Sequence, residues 1–262
     1  MHAGAGYTSS METKEARLPA GRQGHIHPIS SLIREANKIF FGMGFSFEEG
    51  PLLEDEWHNF DALNVPKDHP ARDMQDTFFI KDEPGMVLRT HTTSVHARYI
   101  KAQLEKGIAP PYRAIAMGKV FRNEATDITH EAEFFQVDGF VIDTGANLAQ
   151  LRGTLTTFFS DIMHGNAEIR FRPSFFPFTE PSVEIDMRVS GDSVPEKLRD
   201  RWIEMMGAGM LHPSVIKNYG LDPEVYRGFA FGGGLDRIAL LRWGIDDVRL
   251  MHSADLRFVD QF

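Results

Sequence analysis

A chain of 262 residues with 42% hydrophobic and 25% charged residues carries enough apolar surface for one large domain. It has no cysteine, which excludes disulfides and thiolate-held metals, and no run approaching the roughly 18 apolar residues that a membrane span requires. A net charge of −9 is the opposite of what a chain that grips nucleic acid unaided carries, so any RNA handling needs other surfaces; a soluble cytoplasmic protein is expected.

Residues 1–24 are rich in Gly, Ala and Ser and offer no apolar stretch for a helix or a signal h-region, so a flexible tail is expected ahead of one domain, 25–262. The apolar series Ile29, Leu32, Ile33, Ala36, Ile39, Phe40 steps by three and four, predicting a helix with Pro28 in its first turn and Gly42-Met43-Gly44 at its end. Phe45 and Phe47 alternate with polar neighbours up to Gly50-Pro51 and predict a strand. Residues 55–76 read as polar loop anchored by Trp57 and Phe60, and residues 90–106 as a helix capped by Thr92 or Thr93 and stopped by Gly107. Strands 113–121 and 133–143 flank a polar segment too long for a tight turn, a hairpin with a functional loop. Asn147 and Gln150 open a further helix with Leu148, Leu151, Leu155, Phe158, Phe159 and Ile162 as its apolar stripe. Short strands at 168–172, 183–189, 201–206 and 228–232 and a helix at 235–243 complete the reading. Strands come in consecutive runs without βαβ alternation, so the fold class is α+β with a mostly antiparallel sheet flanked by helices. Of 21 Phe, pairs recur at 40–41, 78–79, 134–135, 158–159 and 175–176, and the simplest assignment for each is core.

Three segments carry chemistry. Phe121-Arg122-Asn123-Glu124 ends a strand and is followed by a return strand bearing Phe134, Gln136 and Asp138. An arginine fork at a strand tip suits a phosphate, and a glutamate two residues on shares its side and can accept from an adenine amino group; a solvated cross-strand pair is the alternative. Gly228 to Leu240 runs from a strand of alternating small residues through glycines into a helix whose first turn holds Arg237. A cation there opposes the macrodipole and suggests an anion nearby, although a glycine-rich turn with a surface arginine fits the same letters. The G-x-G-x-x-G spacing of a dinucleotide fold is not met. The segment Gly44 to Pro51 is uninformative by itself.

In this order the three segments resemble motifs 1, 2 and 3 of class II aminoacyl-tRNA synthetases. Longer strings, residues 59–66, 69–78, 88–92, 171–181, 207–210 and 242–258, are similar to the bacterial phenylalanine–tRNA ligase α-subunit family, so the resemblance spans roughly residues 25–262. It implies the class II catalytic fold, activation of L-phenylalanine by ATP with Mg²⁺, transfer to tRNA(Phe), and an α₂β₂ assembly with a β subunit. By position, Arg122 is expected to hold the α-phosphate and Arg237 the γ-phosphate as the catalytic pair, with Glu124 reading adenine, Phe134 stacking on it, His130 contacting phosphates and Glu180 associated with the metal. Phe176 and Phe178 match aromatics flanking the substrate ring, and Ala230 matches the pocket floor, where a larger side chain would exclude the ring and a smaller one admit para-substituted analogues. His91, Thr93, Gln75, Gln136 and Asp138 match positions around the amino acid's polar end. The chain departs from the family pattern at Asp138 and Asp236, where Glu is usual, and at Thr93-Ser94 with His96; residues 1–24 cannot form the helical arm with which family α chains begin. A synthetase-like binding protein and a single-chain organellar-type enzyme are the competing readings. The full set Arg122, Glu124, Glu180 and Arg237 argues against the first, and the lack of sequence after Phe262 for an anticodon-binding domain argues against the second.

Overall fold

The computed structural model describes residues 24–73, 76–123, 125–127, 131–190 and 199–262, so residues 1–23 of the expected tail lie outside it. The three-and-four spacing from Ile29 does form a helix, α1 (Pro28–Gly42), whose buried stripe is Ile29, Leu32, Ala36 and Phe40. Pro28 sits where its missing N–H has no helical partner to lose, and Gly44, at φ +80°, reverses the chain behind Met43. A short strand β1 (Ser46–Glu48) follows.

The stretch expected as plain loop is more ordered. Strands β2 (Leu53–Asp55) and β3 (Met86–Leu88) pair as a small antiparallel ribbon, with helix α2 (Glu56–Asn59) and 3₁₀ turns Asp61–Leu63 and Pro70–Arg72 between them. Single turns capped by a side chain, here Asp55 accepting from His58 N–H, are too short to show a 3.6-residue period. Phe60 is buried as expected, whereas Trp57 is 40% exposed and anchors nothing inside.

Helix α3 (Ser94–Glu105) starts later than residue 90. Thr93 occupies the cap position, but the hydroxyls of Thr92 and Thr93 both donate to Asp138, so a tertiary acceptor has displaced the local cap. Gly107 ends the helix at φ +71°. Strands β4 (Tyr112–Phe121) and β5 (Glu133–Asp143) form the expected hairpin, registered from Tyr112 opposite Ile142 to Phe121 opposite Glu133. Helix α4 (Leu148–Ile162) carries the reciprocal Asn147–Gln150 capping box, and Leu151, Leu155, Phe158, Phe159 and Ile162 are buried while Leu148 stays exposed. Strands β6 (Ala167–Phe176), β7 (Thr179–Val189) and β8 (Ile203–Leu211) outrun their expected limits, because Pro173, Gly207 and Gly209, residues that weaken a strand, are paired here with Val183, Glu184 and Ser182 on the neighbouring strand. Helix α5 (Pro213–Asn218), not expected, leads to β9 (Arg227–Gly234), α6 (Leu235–Trp243) and α7 (Leu256–Val259).

The large sheet has the order β1-β4-β5-β9-β8-β7-β6 and is antiparallel except where β1 joins β4. One face is covered by α1, α4 and α6 over a core containing Phe40, Phe45, Phe158, Phe159 and Phe231. The other holds a second core at one end, around Phe60, Ala97, Tyr112 and Phe140, and is open beside it. The phenylalanine pairs divide accordingly. Phe158 and Phe159 are both buried on a helix, whereas Phe40 is buried beside Phe41, which is 79% exposed, and Phe175 on β6 is 81% exposed. On the amphipathic α1 the residue after a buried one turns toward solvent, and on β6 period-2 alternation sends Phe175 and Phe176 to opposite faces, so the core assignment fails for Phe41 and Phe175.

Candidate active site

On the open face, β5, β9 and β8 present Gln136, Asp138, Ala230, Gly232, Gly234 and Gly207 in one layer, with Asp138 opposite Gly232 and Gly232 opposite Gly207. A Cβ on Gly232 would lie 2.0 Å from Asp138 Oδ1, and one on Gly207 would lie 2.8 Å from Phe176 Cζ. Only glycine lets these side chains lie down against the sheet. The result is a pocket of about 550 Å³.

One end is cationic and aromatic. Arg122 leaves the tip of β4, its Nε 3.4 Å from Thr90 O, and its guanidinium lies 5.1 Å from the centroid of Phe134 on the return strand. Arg237, in the first turn of α6, donates to Glu204 O at 2.7 Å and lines the same space. The other end is apolar: Phe176, Phe178, Leu63, Leu211, Ala208 and Ala230. Phe176 and Phe178 lie side by side there, their planes 8° apart with centroids at 5.6 Å. A buried turn holds them: Ser182 Oγ accepts from Phe176 N–H and donates to Thr179 O.

Between the two ends lie polar groups. Gln136 Oε1 and His91 Nδ1 are buried without a hydrogen-bond partner among the described residues, an arrangement that costs free energy until a ligand donates or accepts there. Asp138 is 5% exposed and accepts from Thr92 N–H and from the hydroxyls of Thr92 and Thr93. Burial raises its pKa to about 6 against those hydrogen bonds and the Arg122 charge, which favour the anion. Burial likewise lowers His91 to about 4 and His96, on α3 behind the pocket, to about 3.

Of the residues singled out in the sequence, His91, Thr93, Arg122, Phe134, Gln136, Asp138, Phe176, Phe178, Ala230 and Arg237 line this one pocket. Gln75, Glu124 and His130 lie outside the described residues. Glu180 does not line it. Its side chain is 74% exposed, sits 3.4 Å from His212, and borders a second cavity of about 380 Å³ that shares only Leu211 with the first. The Glu180 side chain therefore stands apart from Arg122 and Arg237.

A family model described as "tRNA synthetases class II core domain (F)" matches residues 13–262. The phenylalanine–tRNA ligase alpha subunit of Clostridium perfringens is 45% identical over 256 residues, which cover 96% of this chain and 74% of the relative. That of Nostoc punctiforme is 46% identical, covering 96% and 72%, and that of Bacillus pumilus 44%, covering 96% and 73%. The chain belongs to the phenylalanine–tRNA ligase α-subunit family of class II synthetases.

The α-subunit pocket also contains residues that motif reading passed over: Leu63, Glu131, Glu204, Gly207, Leu211, Asp236 and Val248. Leu63 comes from the region read as loop, and Glu204 from a strand whose ends were misplaced. Leu63, Gly207, Asp236 and Val248 each fell inside a string or motif that resembled the family, but none was assigned a role in the pocket. Arg89 was also missed as a functional support. It is 4% exposed and donates to Lys119 O at 2.8 Å and Gly50 O at 3.1 Å, tying the segment before α3 to β4. Among the described residues Glu54, Asp55 and His58 gather three potential ligand atoms within 4.8 Å, but Glu54 is engaged by Arg98 and His58 by Asp55. No helix among the described residues is long and apolar enough to cross a membrane.

Proposed function

We propose that this chain is a catalytic α subunit that activates L-phenylalanine with ATP to phenylalanyl-adenylate and passes the phenylalanyl group to tRNA(Phe). The observation that carries the reading is the division of one pocket into a cationic platform, Arg122 over Phe134 with Arg237 beyond, and an apolar cavity lined by Phe176 and Phe178, with the unpartnered Gln136 Oε1 and His91 Nδ1 between them. ATP lies against the platform with Phe134 on its base, and the amino acid's ring lies in the apolar end. Its carboxylate oxygen then attacks the α-phosphorus; the new C–O–P linkage forms as the Pα–O–Pβ bond breaks, and pyrophosphate leaves. Positioning and neutralisation of charge carry the step. Arg122 meets the α-phosphate and Arg237 the terminal phosphates, while Gln136, with His91 and Thr93 beside it, orients the substrate's polar end. Asp138 acts at that end chiefly by fixing Thr92 and Thr93, since both its oxygens are engaged by them. Glu131 and Glu204, hard oxygen donors on the pocket wall, would suit a Mg²⁺ bound with ATP, which would supply neutralisation of the phosphate charge. Gln75, Glu124 and His130 keep the roles their positions suggest.

The relatives are alpha subunits, which supports a β partner in an α₂β₂ assembly. Exposed Phe41 and Phe175 are apolar surface suited to a partner, and the net charge of −9 favours a partner that supplies tRNA contacts. A cytoplasmic setting fits this work.

The test is phenylalanine-dependent ATP–pyrophosphate exchange by the chain co-expressed with its β subunit. Exchange is expected with phenylalanine, and tyrosine is expected to be disfavoured about 10²-fold, the scale on which an apolar pocket rejects an added hydroxyl. A well-assembled complex without exchange would move the chain to the binding-protein reading. Within active complex, Gly207→Ala pushes a Cβ to 2.8 Å from the Phe176 ring and should raise the KM for phenylalanine about tenfold while leaving that for ATP within twofold. Equal changes in both would show that the Phe176 ring and the substrate ring do not meet.

A further inference from the structure

Behind the nucleotide end of the pocket, the 3₁₀ turn Val248–His252 packs against the start of α6. His252 Nε2 is 2.7 Å from Asp236 Oδ1, and Asp236 Oδ2 accepts from Phe135 N–H at 2.7 Å. The loop closes through the rings: those of His252 and Phe135 lie 20° from parallel with centroids 6.4 Å apart. One carboxylate, 6% exposed, therefore joins β5, α6 and the C-terminal turn. Its sequence neighbours point into the pocket: Phe134 precedes Phe135, and Arg237 follows Asp236. Asp236 borders the pocket, but His252 does not.

A buried carboxylate held by one backbone N–H is under-satisfied. The imidazole supplies the second donor and, when protonated, the opposing charge; that hydrogen bond to Asp236 raises the pKa of His252 above its ordinary value. Around the ring stand Asp236, the carboxylates of Glu131 and Glu133, and Lys119, whose Nζ is 5.8 Å from the Phe135 centroid.

We infer that His252 is a positioning residue for the nucleotide half of the pocket: through Asp236 it fixes the spacing between Phe134 on β5 and Arg237 at the head of α6, without touching substrate itself. The inference rests on the ATP-binding reading above. Arg237 sits one residue from the fixed point, so loss of the donor lets the platform and the phosphate-binding arginine drift relative to each other. The apolar end, built on the end of β6 and its turn into β7, on β8 and on β9, is left alone.

The experiment compares the assembled wild-type complex with His252→Phe and His252→Gln. Phenylalanine keeps a ring against Phe135 and removes the donor, whereas glutamine restores an N–H. His252→Phe should raise the KM for ATP about tenfold, the scale of one lost hydrogen bond to a charged group, and leave the KM for phenylalanine within about twofold; His252→Gln should recover most of the loss. Calorimetric ATP binding should weaken by the same factor. Should His252→Phe not assemble, His252→Leu serves as the donor-free variant. A donor-free variant with wild-type ATP affinity overturns the inference. So does one that weakens both substrates equally, or a glutamine variant no better than it. Wild-type complex that binds ATP but shows no phenylalanine-dependent exchange would overturn the proposed function instead, while the calorimetric comparison would still decide the role of His252.

Discussion

Arg122→Ala should lower kcat for phenylalanine-dependent ATP–pyrophosphate exchange about 10²–10³-fold, the range found when one preorganised charge-stabilising donor is removed from a closed site. The side chain is already aimed before substrate arrives, tethered to Thr90 O and lying over Phe134. Its charge reaches the polar middle of the pocket, where it favours the anion of Asp138 and disfavours protonation of His91. Arg122→Lys should recover little, because an ammonium cannot present the planar fork or stack on the ring. Steady-state exchange at saturating phenylalanine, on complexes with matched melting curves, measures the effect. A loss of less than tenfold would remove Arg122 from the catalytic role.

The second large effect is acid destabilisation from the neutral histidines. His96 is 2% exposed, packed 4.6 Å from the Phe140 centroid, and titrates at about 3 in the folded chain; His91, which opens onto the pocket, titrates at about 4. Unfolded, both take a proton near pH 6.5, so unfolding takes up protons below that pH and the stability they contribute is lost as pH falls toward 4. Asp138 works against them. Its folded pKa of about 6 exceeds the unfolded 3.8, so it adds stability as pH falls through that window. Two protons taken up against one released leaves a net loss of about 2–3 kcal/mol between pH 6.5 and 4.5, at about 1.4 kcal/mol per proton per pH unit. His252, with its raised pKa, acts above pH 6.5 and with the opposite sign to His96. Urea unfolding at three pH values measures the slope, and His96→Gln should nearly flatten it. A slope that His96→Gln leaves unchanged would mean that this histidine is not the buried proton acceptor.

The outline of the fold was legible wherever one face of an element is buried. The helix from Pro28, the hairpin of β4 and β5, the Asn147 capping box and the strand-to-helix switch into α6 each carry their period or cap in consecutive letters. Elements of three to six residues, β2, β3, α2 and α5, were missed, because too few side chains repeat to reveal a period. Strand ends at β6 to β8 were misjudged around Pro173, Gly207 and Gly209, since a single segment cannot show that Val183, Glu184 and Ser182 pair with them across the sheet.

The sequence by itself determined the family of this protein and the residue types at most of the pocket: an arginine at a strand tip, an arginine heading a helix, small residues along one strand face, and phenylalanines two apart. Tertiary structure alone decided the arrangement. It brought the Phe176 and Phe178 rings nearly parallel, drew the Thr92 and Thr93 hydroxyls from capping α3 to Asp138, and put Glu180 on a different cavity. It also tied His252 to Asp236 across 16 residues and Phe135 to Asp236 across 101. Local letters fix a residue's backbone preference and the face it occupies. Which acceptor a hydroxyl reaches, and which ring lies against which, depends on strands paired across the sheet and on cavities that exist only once both faces are packed.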